Sequence, residues 1–182
     1  GHTNCMMFNL VAPLEMALRD GVHPILGERI GPATGDVRNH ETFEDFFAAY
    51  ERQLLWLLDR AIEGNDLLGR SHQALKPTPL LSALMDGPME SGKDVIEGGA
   101  RYNSTGVAHI GLADVVDSLM AIKTLVYDEQ RVTFAELKQA LDDDFEGHAG
   151  LEARVRNKVP LFGSGDDDAV AMARRVMGMV QD

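Results

Sequence analysis

Residues 93–127 read KDVIEGGARYNSTGVAHIGLADVVDSLMAIKTLVY, and the order of parts in this stretch decides the fold. Gly98 and Gly99 let the chain turn sharply ahead of Ala100, because glycine reaches backbone angles closed to other residues. Residues 101–110, RYNSTGVAHI, carry the β-branched and aromatic side chains of a strand. Gly106 interrupts them, which predicts a bulge or a close backbone approach with something seated nearby. After Gly111, Leu112, Val115, Val116, Leu119, Met120, Ile122, Leu125 and Val126 recur at helical spacing, so a helix is expected to pack back on the strand. Strand, turn and helix make a β-turn-α unit.

Outward from this unit, helix dominates. Toward the N-terminus, Thr42 and Asp45 have capping-box spacing and open a long helix whose stripe is Phe43, Phe46, Phe47, Tyr50, Leu54, Leu57, Leu58, Ala61 and Ile62. Leu55 and Trp56 widen that stripe, so more than one neighbour is expected to cover it. Gly64 and Gly69 are possible interruptions, and Pro77 stops the helix. Thr78-Pro79 predicts a short helix running to Met85, closed by Gly87-Pro88. Further upstream, residues 6–18, MMFNLVAPLEMAL, are almost wholly apolar with helical character strongest after Pro13, and Asp20-Gly21 ends that helix before a proline- and glycine-punctuated loop to Asp36. Toward the C-terminus, Thr133 and Glu136 repeat the capping-box spacing. A helix near 151–159, a glycine-rich turn and a final helix from about Ala169 follow. The expected class is mostly α with short strands, an α/β arrangement.

The chain has 182 residues, 45% apolar and 25% charged, enough for one sizeable core. No apolar run is long enough for a transmembrane helix, and no signal-peptide layout opens the sequence, so the expected location is cytoplasmic. A single cysteine, Cys5, excludes an intrachain disulfide. The net charge of −12, with no basic stripe against it, argues against nucleic acid and membrane partners. Both ends break off within apolar or helical pattern, as in an excerpt from a longer chain.

Candidate chemistry is sparse. Cys5 stands beside Met6, Met7 and Phe8 without a cation to favour thiolate, so it reads as a packed, inert thiol. The six histidines include no pair at i, i+4, and the aspartate runs 142–144 and 166–168 lack the alternating spacing of a calcium loop. The second run suits a helix N-terminus, where negative charge is favoured, so capping is the expected role. No metal site is expected. Neither GSGDDD nor EGGARYNSTG has the phosphate-loop pattern, which leaves nucleotide binding without support.

EGGARYNSTGVAHIGLADVVDSLMAIKTLVYDEQRVTFAELKQALDDDFEG strongly resembles the glycyl radical enzymes of the pyruvate formate-lyase-like superfamily. The resemblance continues through LEMALRDGV, LGERIGPATGD, TFEDFFAAYERQL, KPTPLLSALMDGPMESGKDV and NKVPLFGSGDDDAVAMARRVM, covering essentially the whole chain. It is closest to the branch of dehydratases, decarboxylases and carbon–sulfur or carbon–nitrogen lyases.

The resemblance implies a barrel of about ten strands in two antiparallel halves, enclosed by helices. It places residues 1–182 as an internal portion of that barrel domain, between the loop bearing the thiyl cysteine and the C-terminal glycine loop, so no catalytic residue is expected within the chain. It further implies a glycyl radical installed by a separate radical S-adenosylmethionine activase, anaerobic chemistry on a small-molecule substrate, and a homodimer for the full-length enzyme. Isolated, the chain would not catalyse. The segment just after the cysteine loop lines the pocket in this family, which marks Thr3, Asn4 and Met7 as substrate-facing. The first two offer hydrogen bonds and the third an apolar contact. Pyruvate formate-lyase has an arginine at about the position of Met7, suited to a carboxylate, and its absence here argues against pyruvate. Tyr102 and Asn103 are also candidates for the interior, against an alternative in which Tyr102 packs in the core of a paired strand. A non-catalytic helical interaction module derived from such an enzyme is the competing reading.

Overall fold

The computed structural model describes residues 6–104 and 106–181. The elements in order are strand β1 (Met6–Asn9), helices α1 (Val11–Ala17), α2 (Phe43–Leu75), α3 (Pro79–Ala83) and α4 (Pro88–Ser91), strand β2 (Val107–Ile110), and helices α5 (Leu112–Ile122), α6 (Phe134–Asp142), α7 (Ala149–Lys158) and α8 (Asp167–Met179). They divide into two compact units. One takes residues 6–8 and 58–110 of the described chain, the other residues 9–57 and 111–181.

The second unit is built around α5. Its Val115, Val116, Leu119 and Met120 are buried, and the helix packs against α8, through Ala169, Met172, Ala173 and Val176, and against α1. The helical spacing in 112–126 therefore marks a true core face. Past Ile122 the α-helix gives way to a π-turn over Lys123–Asp128, whose wider pitch lets the Lys123 ammonium donate to Asp128 Oδ2 at 2.5 Å. The first half of α2 adds an aromatic cluster. Phe46 meets Phe134 edge-to-face at 4.9 Å, and Tyr127 meets both Phe43 and Phe134 at 6.1 Å. Burial in this cluster, with the Asp45 carboxylate nearby, pushes the Tyr127 hydroxyl up to about 12.

Both predicted capping boxes form. The Thr42 hydroxyl accepts from the Asp45 N–H while Asp45 Oδ2 accepts from the Thr42 N–H, and Thr133 and Glu136 do the same at α6. Asp166 accepts from the N–H groups of Asp168 and Ala169, so the aspartate run 166–168 serves as a helix cap. The glycines at 64 and 69 do not interrupt α2, which runs unbroken to Leu75. The predicted stripe holds only to Leu54. Beyond it no residue of α2 is buried, and Leu55, Ile62, Leu67, Leu68 and Leu75 are exposed.

Three local expectations are corrected. The first strand, β1, lies inside the stretch read as an apolar lead into a helix; its alternation is masked because the outward residue Met7 is as apolar as the inward Phe8. The strand expected over 101–110 is confined to Val107–Ile110. The Arg101 N–H donates to the Asp86 carbonyl at 2.8 Å, so the backbone there closes a loop rather than a ladder. Finally, Thr78 does not cap α3 with its side chain. Its hydroxyl donates to Asp94 Oδ1 at 2.6 Å, and Pro88 opens the short α4 instead of ending a helix.

Candidate functional site

β1 and β2 form a two-stranded sheet. The Met6 N–H donates to the Gly106 carbonyl at 3.2 Å, start to start, and at the far ends a side chain on Gly111 would press on Val11 and Asn9. The strands therefore run parallel. Because successive side chains alternate across a strand, Met6 and Phe8 point one way and Met7 the other. Phe8 is buried and stacks edge-to-face on His109 at 6.2 Å, so Val107 and His109 share the covered face. Met7, Asn9, Ala108 and Ile110 occupy the other face, with Met7 79% and Ile110 46% exposed.

Of the residues nominated from sequence, Met7 thus lies on the open side of the sheet. Thr3 and Asn4, like Cys5, lie outside the described residues. Tyr102 and Asn103 precede β2 in a bend and do not share its register with Met7. The core placement weighed for Tyr102 is overturned, since the ring is 80% exposed with the Arg101 guanidinium 5.8 Å from its centroid. Asn103 sits over the Gly98 turn, where a side chain on Gly98 would come within 3.1 Å of its Nδ2. That turn is tightly built. Gly98 adopts φ +78°, and a Cβ on Gly99 would lie 2.0 Å from the Lys93 carbonyl oxygen. Asp94 anchors the same loop, accepting from the Thr78 N–H and hydroxyl and from the Ile96 N–H. These bonds, the Thr78 hydroxyl foremost, hold its carboxyl below the usual range.

The open side of β2, Ala108 and Ile110, is not legible in the sequence, because a strand expected over 101–110 begins six residues ahead of the real one. The available signal at this point is Asn9, whose Oδ1 accepts from the Val11 N–H two residues on and so turns the chain from β1 into α1.

Three cavities lined by described residues lie within the second unit. One of about 480 Å³ is lined by Arg19, Asp36, Arg38, Lys138 and Asp142, where Asp142 already accepts from both Arg19 and Lys138. Another of about 440 Å³ lies beside His40 and Tyr127, and a third of about 380 Å³ is mainly apolar, between α1, α5, α6 and α7. None of these three brings a nucleophilic side chain against a base among the described residues. Among the described residues, no group of three or more His, Cys, Asp or Glu side chains is placed to hold a metal ion, and no helix is long and apolar enough to cross a membrane.

The profile of the family described as Pyruvate formate lyase-like matches residues 1–182. Trans-4-hydroxy-L-proline dehydratase of Clostridioides difficile is 39% identical over 161 residues, 88% of this chain and 20% of that protein. (2S)-3-sulfopropanediol dehydratase of Klebsiella oxytoca is 38% identical over 157 residues, 86% of this chain and 19% of that protein. The crystal structure of the C. difficile hydroxyproline dehydratase with trans-4-hydroxy-L-proline bound superposes with a TM-score of 0.91 at 36% identity, covering 96% of this chain and 22% of that one. The chain belongs to the pyruvate formate lyase-like family, and its fold is part of the glycyl radical enzyme fold. It spans about one fifth of the length of the relatives it matches.

Proposed function

We propose that this chain is an internal portion of a glycyl radical lyase or dehydratase that cleaves a C–O, C–N, C–S or C–C bond of a small molecule. One observation carries the reading above all: a family match over residues 1–182, joined to close superposition on a substrate-bound dehydratase. Radical chemistry in such an enzyme is supplied by a cysteine and a glycine outside this chain, the glycine being activated by a radical S-adenosylmethionine enzyme. The residues described here contribute walls and support. Thr3, Asn4 and Met7 face the substrate, and Tyr102 and Asn103 present polar atoms from the bend ahead of β2. An apolar, water-poor wall suits reactive intermediates that solvent would quench. We further place the whole protein in the cytoplasm, as a homodimer that meets its activating enzyme there.

The full-length protein, co-expressed with its activase under anoxia, is expected to show a glycyl radical signal by electron paramagnetic resonance and to eliminate water or another leaving group from a panel of hydroxylated amino acids, diols and hydroxysulfonates. Cys5→Ala in that protein leaves turnover intact, because the thiyl cysteine is another residue. A protein that acquires no radical and turns over nothing refutes the reading and leaves the helical interaction module in its place.

A further inference from the structure

Resting on that reading, we infer that Thr78 and Asp94 are positioning residues: the bonds between them lock the turn that presents Tyr102 and Asn103, and so set how tightly the substrate is held, without either residue contacting it. The first argument is where the loop is tied. Asp94 Oδ1 accepts from the Thr78 hydroxyl at 2.6 Å and Oδ2 from the Thr78 N–H at 2.7 Å, while the Asp94 carbonyl accepts from the Gly99 N–H at 3.0 Å. One residue thus fastens the turn to the start of α3, and both of its carboxylate oxygens are engaged in doing so. Beside it the Val95 N–H donates at 2.9 Å to the hydroxyl of Ser82, which is buried in α3.

The second argument is the lack of slack between this anchor and the bend. A Cβ on Gly87 would lie 2.5 Å from the Arg101 nitrogen, which itself donates to the Asp86 carbonyl, and Gly99 is closed against Lys93 in the same way. Gly99 and Ala100 are buried, whereas Arg101, Tyr102 and Asn103 are exposed. The backbone is therefore held up to the residue before Tyr102, and the Asn103 amide lies back over Gly98, so it follows wherever that turn is set. Location is the third argument. The bond from Met6 to Gly106 puts the starts of β1 and β2 side by side, and Asn103 stands three residues ahead of Gly106, leading into that edge. A loop fixed before binding has little conformational freedom left to lose when substrate arrives, so loosening it weakens affinity before it touches chemistry.

In the activated full-length enzyme, Thr78→Val and Asn103→Ala are each expected to raise KM about tenfold with kcat within about twofold, and Thr78→Ser, which keeps the hydroxyl, to restore the wild-type KM. A double variant separates positioning from mere stability. Because Thr78 acts through Asn103, Thr78→Val adds no further rise in an Asn103→Ala background, whereas independent effects would multiply to about a hundredfold. The rise in melting temperature that substrate gives the unactivated protein should shrink in the same pattern. Should Thr78→Val not fold, Asp94→Asn takes its place in the cycle. An active wild-type enzyme whose KM stays within about twofold in the anchor variant, or in which the two effects multiply, overturns the positioning role and leaves the function standing. An unchanged KM in Asn103→Ala shows that the bend does not meet the substrate, and the positioning role falls while the function again stands. A wild-type protein that acquires no radical and processes no panel compound refutes the function, and the positioning role falls with it.

Discussion

Gln53 donates from Nε2 to the Pro32 carbonyl at 2.8 Å and to the Thr34 hydroxyl at 3.1 Å, from a side chain with no solvent exposure at all. One residue before Pro32, a Cβ on Gly31 would lie 2.2 Å from Gln53 Oε1 and 2.5 Å from the Met16 methyl. Gln53 cannot swing aside without giving up both bonds, so the glycine is required by space rather than by backbone angle. Gly31→Ala is expected to destabilise the chain by about 1–3 kcal/mol, the usual cost of overfilling a packed site. Urea denaturation checks this, and an unchanged midpoint would mean that the amide repacks freely.

The ring of bonds around Asp94 makes a pH prediction. Its carboxyl is held below the ordinary value by hydrogen bonds to Thr78 and Ile96. A depressed folded-state value means that the stabilisation is complete above the ordinary carboxylate value of about 3.9, and is lost as pH falls through it toward the lower folded value. Asp20, held down by the Gly35 and Thr34 N–H groups and by Arg29, follows the same rule. Stability should therefore be flat between about pH 7 and pH 5 and decline below about pH 4. Asp94→Asn should lose protection at the Thr78 and Ile96 amides in hydrogen exchange at neutral pH and show a weaker acid decline than the parent.

At α6 the Thr133 hydroxyl accepts from the Glu136 N–H at 3.2 Å, while Glu136 Oε2 accepts from the Thr133 N–H at 2.8 Å. Removing an N-cap hydroxyl costs about 1 kcal/mol. Thr133→Ala should lower stability by about that amount, and Thr133→Ser should restore it. Equal stability of all three in thermal denaturation would show that Glu136 alone satisfies the helix start.

These bonds also show what could be read ahead of the structure. Capping boxes, the helix from Phe43 and the core face of α5 were legible because each rests on local spacing, and local spacing is all that a helix needs. The sheet was legible only in part. β1 hides its alternation behind Met7, and β2 begins only at Val107 because the backbone at Arg101 is bonded to the Asp86 carbonyl, fifteen residues upstream, rather than to a neighbouring strand. Thr78 illustrates the same limit: its spacing fits an N-cap, yet its hydroxyl is taken by Asp94 from across the loop. The candidate site suffered most, since the face that Ala108 and Ile110 occupy depends on where β2 starts.

α2 offers an internal control for the remaining claim, that its apolar stripe is core over one half only. Leu54 has no exposure, whereas Leu68, two heptads along the same helix, is 58% exposed. Truncating a buried leucine costs about 2–5 kcal/mol through lost burial and the cavity left behind. A leucine already largely in water has little burial to lose, and surface changes away from special features stay within about 0.5 kcal/mol. Leu54→Ala should therefore unfold this chain several degrees earlier, while Leu68→Ala should leave its melting temperature nearly unchanged. Helix propensity does not blur the contrast, because the same leucine-to-alanine step is made in the same helix at both positions. Leu68→Lys extends the test: it removes exposed apolar surface, so binding of a hydrophobic dye to the folded chain should drop without loss of stability. A large destabilisation from either change at position 68 would show that the stripe is covered throughout.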